Sequence, residues 1–422
     1  MSPRPLRSFQ VLLHHPVIEP LLAACGGTEC HLVGGAVRDR ALGLPIKDID
    51  VVVAGRGREI AEAVAAALPA RFVALGGKEF AAFRLVAEGF ELDIWDRAGT
   101  TLYQDLERRD FTVNSIALDP HGGEAFDPFG GLGDLVHRIL RATTPGSFAG
   151  DPLRVLRLPR LLLRLPGFSA EAETVKLARQ SAHRLVEVAS ERVRDEMAAL
   201  FSHPEAHRGL AILIGLDLYP GLWLGSPGEP GPVGTALSEL EALPGCILEL
   251  REHDSAFAET VDALAARASI LFRNLPDPAA ALERIRDAGY LTRRVTEDVA
   301  RLLAWESLPG DELGRRHFLY RAGALWTTVA VTLGARAAVQ ERLETWRSDL
   351  AALVDLARRE GAVLFDPPRL VSGEDVQRLL GLAPGPEVGK VLAAVRAAQV
   401  EGRIRTREEA VELVKLTGRP KS

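Results

Sequence analysis

The sequence predicts an α+β N-terminal head followed by an all-α remainder, on three observations. Short runs rich in β-branched and aromatic residues, Asp50–Val53, Arg71–Val73, Phe83–Val86 and Glu91–Trp95, all fall before residue 100 and are separated by glycine-containing turns. From Asp151 onward apolar residues recur at helical spacing, in DPLRVLRLPRLLLRL, AEAETVKLARQSAHRL and SERVRDEMAALF. At 422 residues the chain exceeds one compact core, so it has room for two to four domains.

Within the head, the alanine-rich amphipathic stretch Glu59–Leu68 predicts a helix between the first two β-runs. In the remainder, Ser190 stands as an N-cap before ERVRDEMAALF. The segment GSPGEPGPVG, from Gly225 to Gly234, is expected to interrupt the helices as a loop. A last boundary is expected near Arg369, after DPPR. The expected division is a head over 1–145, a helical neck over 146–205, a helical body over 206–368 and a helical tail over 369–422.

With 51 Lys and Arg against 57 Asp and Glu, the net charge of −6 excludes a uniformly basic coat but leaves material for a local positive surface. No apolar run long enough for a bilayer span and no cleavable leader pattern is read, so the cytoplasm is the expected location. Cys25, Cys30 and Cys246 form no CxxC pair, which disfavours a disulfide framework or a thiolate zinc site.

The chemistry-bearing residues begin at His31–Val53, HLVGGAVRDRALGLPIKDIDVVV. Gly34, Gly35 and Arg38 open a predicted helix after a short apolar run, a place where backbone N–H groups and a guanidinium hold a triphosphate; a Gly-Gly turn is also a plain packing device. Ten residues beyond Arg38 comes Asp48-Ile49-Asp50, leading into a strand. Alternate strand residues share a face, so both carboxylates converge on one place, as two-metal nucleotidyl transfer with Mg²⁺ requires; the bland reading is a pair of solvated aspartates. Asp93, on a later apolar strand, is a candidate third carboxylate.

Together, GGAVRD, its spacing to Asp48 and Asp50, and Arg108–Asn114 (RRDFTVN) resemble the class II nucleotidyltransferase family of bacterial CCA-adding enzymes and poly(A) polymerases. Asp151–Arg157 (DPLRVLR) is similar to that family's EDPLRxLR motif, Glu191–Met197 (ERVRDEM) to its ERxxxE motif, and Ser372–Ala410 to its C-terminal region. The resemblance implies a palm-like β-sheet head, with Gly35 and Arg38 on the triphosphate and Asp48 and Asp50 on Mg²⁺. It implies Arg109, Asp110 and Asn114 on the nucleotide's sugar and phosphates. Asp151 and Arg154 would read the Watson–Crick edge of the incoming base, and Arg154, Arg157 and Arg160 would form a cationic stripe toward phosphates, which alone reads rather as a solvated face. The implied partners are the tRNA acceptor arm and 3′ end, with CTP, and with ATP as the alternative.

Three departures sharpen that expectation. The family's Glu before the templating Asp is Gly150 here, removing a carboxylate able to orient Arg154. Pro159 sits within the arginine-bearing helix and is expected to kink it. The connector from Asp93 to Arg108 is short where full CCA-adding enzymes carry a longer flexible loop, which points to a CC-adding member; complete CCA addition, A addition, poly(A) synthesis and a noncatalytic RNA-binding descendant are the alternatives. His253-Asp254 spells an HD dipeptide without the surrounding histidines of a metal site, so no hydrolase centre is expected.

Overall fold

The computed structural model describes residues 9–46, 48–75, 82–97, 99–216, 218 and 231–417. The chain divides into two compact units, Met1–Glu196 with Ile212–Leu222, and Met197–Ala211 with Trp223–Ser422.

The first unit is built on a seven-stranded sheet in the order β3-β4-β5-β2-β1-β6-β7. Its strands are β1 (Cys30–Val33), β2 (Asp48–Val53), β3 (Arg71–Leu75), β4 (Ala82–Ala87), β5 (Phe90–Asp96), β6 (Ala117–Leu118) and β7 (Ala125–Phe126). Every pairing is antiparallel except β2 with β5. The β2-to-β5 connection passes through the helix Gly57–Ala67, which buries Ile60, Ala61 and Val64. β2 lies at the centre of the sheet, and Val51, Val52 and Val53 are all buried, as a strand covered on both faces demands. Only its first turn of chain carries polar residues, so Asp48 and Asp50 emerge where the buried strand reaches the rim.

Helix α1 (Gly35–Leu42) follows β1, and α2 (Leu102–Glu107) follows β5. Thr101 and Gln104 close a capping box at the start of α2. A 3₁₀ turn spans Thr112–Asn114. Beyond the sheet come α3 (Arg154–Arg164) and α4 (Ser190–Ser202). Helix α3 continues through Pro159; seven of its eleven residues are buried, and that packing outweighs the hydrogen bond the proline cannot donate.

Among its described residues the second unit contains helices joined by turns and loops, with no strand. The expected loop Gly225–Gly234 is shorter than its composition implied. Gly231–Gly234 already belong to the helix Gly231–His253, because a proline is tolerated in a first turn whose N–H groups lack intrahelical partners; residues 225–230 lie outside the described residues. His253 ends that helix. Asp254 caps the next, accepting the Phe257 N–H at 3.1 Å and the Arg358 Nε–H at 2.9 Å. The HD dipeptide is thus a helix junction. Among the described residues, Glu312–Val339 is the one helical stretch long and apolar enough to cross a membrane by length and composition, and 61% of its apolar window is buried within the protein.

Candidate active site

Asp48 and Asp50 occupy alternate positions of β2 and share one face; Asp48 is exposed and Asp50 partly so. β1 ends beside them, with Val33 opposite Asp50. The chain then turns at Gly34, whose φ of 73° favours glycine. A Cβ there would lie 2.8 Å from Asp50 Oδ2 and 3.1 Å from Arg109 Nη1, so the turn also needs a residue without a side chain. Burial raises the Asp50 pKa above the usual carboxylate value, Arg109 and the Trp95 indole pull it down, and Asp93 and Asp48 push it up; the net shift is upward.

Asp93 stands in register with Asp50 across the parallel pair. Arg84 stands in register with Asp93 on its other side and grips it with two bonds, Nε to Oδ1 at 2.8 Å and Nη2 to Oδ2 at 2.7 Å. The third carboxylate is therefore brought to the cluster with both oxygens engaged by a guanidinium. Among the described residues no group of three or more His, Cys, Asp or Glu forms a metal cage. Two hard carboxylates at an open rim suit Mg²⁺, which takes one or two protein carboxylates and fills its remaining positions with phosphate oxygens and water.

Arg109 is held beside Asp50 by Asp105, one helical turn earlier, through Nε and Nη2 to Oδ2 at 3.2 and 3.0 Å. Arg38, by contrast, is buried. Its Nε donates to Asp39 at 2.7 Å and its Nη1 to Asn114 Oδ1 at 2.6 Å. Asn114 donates in turn to Asp110 at 2.9 Å, and Asp110 lies 3.6 Å from Arg157 Nη1. Arg157 and Arg160 converge on the buried carboxylate of Glu196, at 3.2 and 3.1 Å, and Arg164 reaches back to Asp39 at 2.7 Å. These groups join α1, the 3₁₀ turn, α3 and α4 in one polar network. The arginine stripe of α3 is thus largely an internal ion-pair seam.

Asp151 and Arg154 lie at the start of α3, where the Arg154 N–H donates to the Asp151 carbonyl at 3.1 Å, but their side chains do not bond each other. Arg154 is held by backbone carbonyls: Nη1 donates to Ser147 at 3.0 Å and Arg109 at 3.3 Å, and Nη2 donates to Arg108. Its Nε is buried with no hydrogen-bond partner. A Cβ on Gly150 would meet nothing within 4 Å, so packing does not demand glycine there. Asp151 Oδ2 accepts Arg192 Nη2 at 2.8 Å, and Oδ1 accepts the Leu153 N–H at 3.2 Å.

Sequence reasoning missed Arg84, Asp105, Arg192 and Glu196 as partners of the candidate residues. Asp105 had a local signal, its i, i+4 spacing to Arg109 on a helix. Arg192 and Glu196 lay inside the ERVRDEM motif without an assigned contact. Arg84 needed the β4–β5 register.

The sheet, the carboxylate pair on a central strand and the glycine turn packed against it are the arrangement of a nucleotidyltransferase head. Residues 30–141 match the family model described as "Poly A polymerase head domain", and residues 167–223 that described as "Probable RNA and SrmB- binding site of polymerase A". The chain is 31% identical to a CC-adding tRNA nucleotidyltransferase of Geobacter sulfurreducens, over 94% of this chain and 93% of that protein. It is also 31% identical to an A-adding tRNA nucleotidyltransferase of Deinococcus radiodurans, over 90% and 93%. Among solved structures, the Bacillus stearothermophilus CCA-adding enzyme in complex with CTP superposes with a TM-score of 0.70 at 25% identity, covering 97% of each chain. The chain belongs to the tRNA nucleotidyltransferases of the CCA-adding family.

Proposed function

We propose that this chain adds cytidine residues from CTP to the 3′ end of tRNA and stops before the terminal adenosine. The observation that carries the CC-only reading is the compact connector. β5 continues to Asp96 and the capped helix α2 begins at Leu102, leaving only residues 97–101 between them, where a long flexible loop would stand in an enzyme that re-shapes its pocket for ATP. The Geobacter relative's CC-adding activity favours the same reading.

In this reading Asp48 and Asp50 would hold Mg²⁺, whose chemistry there would be activation of the tRNA 3′-hydroxyl for attack on the CTP α-phosphate and charge neutralisation of the departing pyrophosphate. Gly34, Gly35 and the N-terminal N–H groups of α1 face the triphosphate, with Arg109 beside it. Arg38, Asp110 and Asn114 act one layer behind, fixing α1 and the 3₁₀ turn against α3. Asp151 accepts a hydrogen bond from the cytosine amino group, and Arg154 donates to the ring nitrogen and carbonyl. The segments 146–205, 206–368 and 369–422, as neck, body and tail, engage the acceptor arm through its phosphates and 2′-hydroxyls.

The A-adding relative is as similar in sequence as the CC-adding one, so ATP use is the reading to test against. A tRNA transcript lacking its last three residues, extended with CTP alone and with CTP plus ATP, is expected to gain two nucleotides in both reactions. Efficient appearance of a third band with ATP, or extension only of a transcript already ending in CC, contradicts the proposal.

A further inference from the structure

Among the described residues, Arg192 is the one side chain that bonds the carboxylate of Asp151. The contact spans 41 residues of sequence, from the first turn of α4 to the start of α3. Asp151 has a second fixed bond, from the Leu153 N–H to Oδ1. With Arg192 on Oδ2 and the backbone on Oδ1, neither oxygen is free to rotate. A carboxylate has about four lone-pair sites, so two remain for a ligand. Arg154 is separately anchored by three carbonyls, leaving it unable to orient Asp151, and Gly150 supplies no neighbouring carboxylate.

We infer that Arg192 is a positioning residue for base selection, holding Asp151 as a fixed acceptor that admits the amino group of cytosine and rejects the O4 carbonyl of uracil. The inference rests on the proposed base-reading role of Asp151. Its chemistry is a matter of donors and acceptors. Cytosine presents an N–H₂ where uracil presents a carbonyl oxygen, so an acceptor-only carboxylate pairs with one and repels the other. A carboxyl that takes a proton presents an O–H donor and pairs with uracil too, and a carboxylate that rotates away no longer repels the uracil carbonyl. Burial works against the ionised form of Asp151, but the hydrogen bond and charge of Arg192, with the Leu153 N–H, outweigh it and keep the carboxyl below its usual titration range. Arg192 itself is half-exposed, which leaves packing little affected by its replacement.

The test is single-nucleotide incorporation with CTP and with UTP, on a tRNA lacking its terminal residues, for wild type, Arg192→Met, Arg192→Lys, Asp151→Ala and the Arg192→Met/Asp151→Ala double variant, with thermal melting alongside. Arg192→Met is expected to lower the CTP-to-UTP ratio of kcat/KM roughly tenfold, the worth of one charged hydrogen bond. The loss should sit in KM for CTP, with kcat for CTP largely kept. Arg192→Lys, which keeps the charge, should recover part of the ratio. The double variant should be no less selective than Asp151→Ala alone. An unchanged ratio in Arg192→Met, with a lowered one in Asp151→Ala, overturns the inference while leaving Asp151 as the base reader. An unchanged ratio in Asp151→Ala removes the base-reading role and the inference with it. Equal losses for CTP and UTP in both Arg192 variants reveal a merely structural contact and also overturn it.

Discussion

Asp50→Asn is expected to lose CMP incorporation by roughly 10³-fold or more, the worth of several kcal/mol of transition-state charge stabilisation, while melting at a higher temperature than wild type in metal-free buffer at neutral pH. The two effects have one origin. Asp50 sits where desolvation and two neighbouring carboxylates disfavour its charge, and Arg109 and Trp95 only partly compensate. Its folded pKa therefore lies above its unfolded value. A carboxyl shifted in that direction contributes stability that is fully present below the unfolded pKa and is lost as pH rises through the folded pKa. At neutral pH the ionised carboxylate is a cost that asparagine avoids. Arg109 is not orphaned by the change, because Asp105 still holds it. The melting difference should shrink toward zero as the pH falls to where Asp50 is protonated. A metal-free Asp50→Asn protein that melts below wild type at neutral pH contradicts this account of the carboxylate cluster.

Glu196→Ala is expected to destabilise the first unit by about 3 kcal/mol, the lower end for breaking a buried ion pair by removing one partner. Its side chain is only 6% exposed, and it receives Arg157 and Arg160 from successive turns of α3. The arginines are about one-third exposed, so water relieves part of the penalty. Without the carboxylate, two guanidiniums face each other across a seam that also fixes Asp110 and, through Asn114, Arg38. Thermal denaturation should show the loss, and Glu196→Gln should fall between wild type and alanine because it keeps a hydrogen-bond acceptor without the charge. A Glu196→Ala melting curve that overlays wild type would mean the seam carries no stability. Base selection should weaken in the same variant, since Asp151 and Arg154 stand on the helix that Glu196 anchors.

The head was legible in the sequence wherever one strong pattern acted locally. Val51–Val53, Phe83–Val86 and Glu91–Trp95 are short apolar runs between turns, and each lies within an observed strand. Glu59–Leu68 overlaps the helix Gly57–Ala67 because its buried positions fall on one face. Local rules reached too far at a helix end, where Pro232 falls in the first turn of Gly231–His253 and breaks nothing, while buried packing carries α3 on through Pro159.

The candidate site was legible as a set of residues but not as a set of bonds. Asp48 and Asp50 declared a shared face through their spacing, and Gly34 a turn without a side chain. Which cation each acidic group would meet depended on strand register and on helices far along the chain. Arg84 reaches Asp93 only because β4 pairs β5 in that register. Arg192 and Glu196 lie about 40 residues from Asp151 and Arg157 and meet them only after α3 and α4 pack. For the same reason the arginine stripe of α3 reads from sequence alone as a solvated face, whereas two of its members turn toward Glu196.

The most direct measurement of the central claim, that the β2 carboxylates drive transfer to tRNA, is Mg²⁺-dependent CMP incorporation by Asp48→Ala. Asp48 is exposed at the head of its strand, so its loss should leave the melting temperature near that of wild type and report chemistry alone. The account predicts that wild type extends a tRNA lacking its 3′ residues with CTP and Mg²⁺, that chelation stops it, and that folded Asp48→Ala is slower by roughly 10³-fold. Incorporation by Asp48→Ala at the wild-type rate, with the same Mg²⁺ dependence, would contradict it.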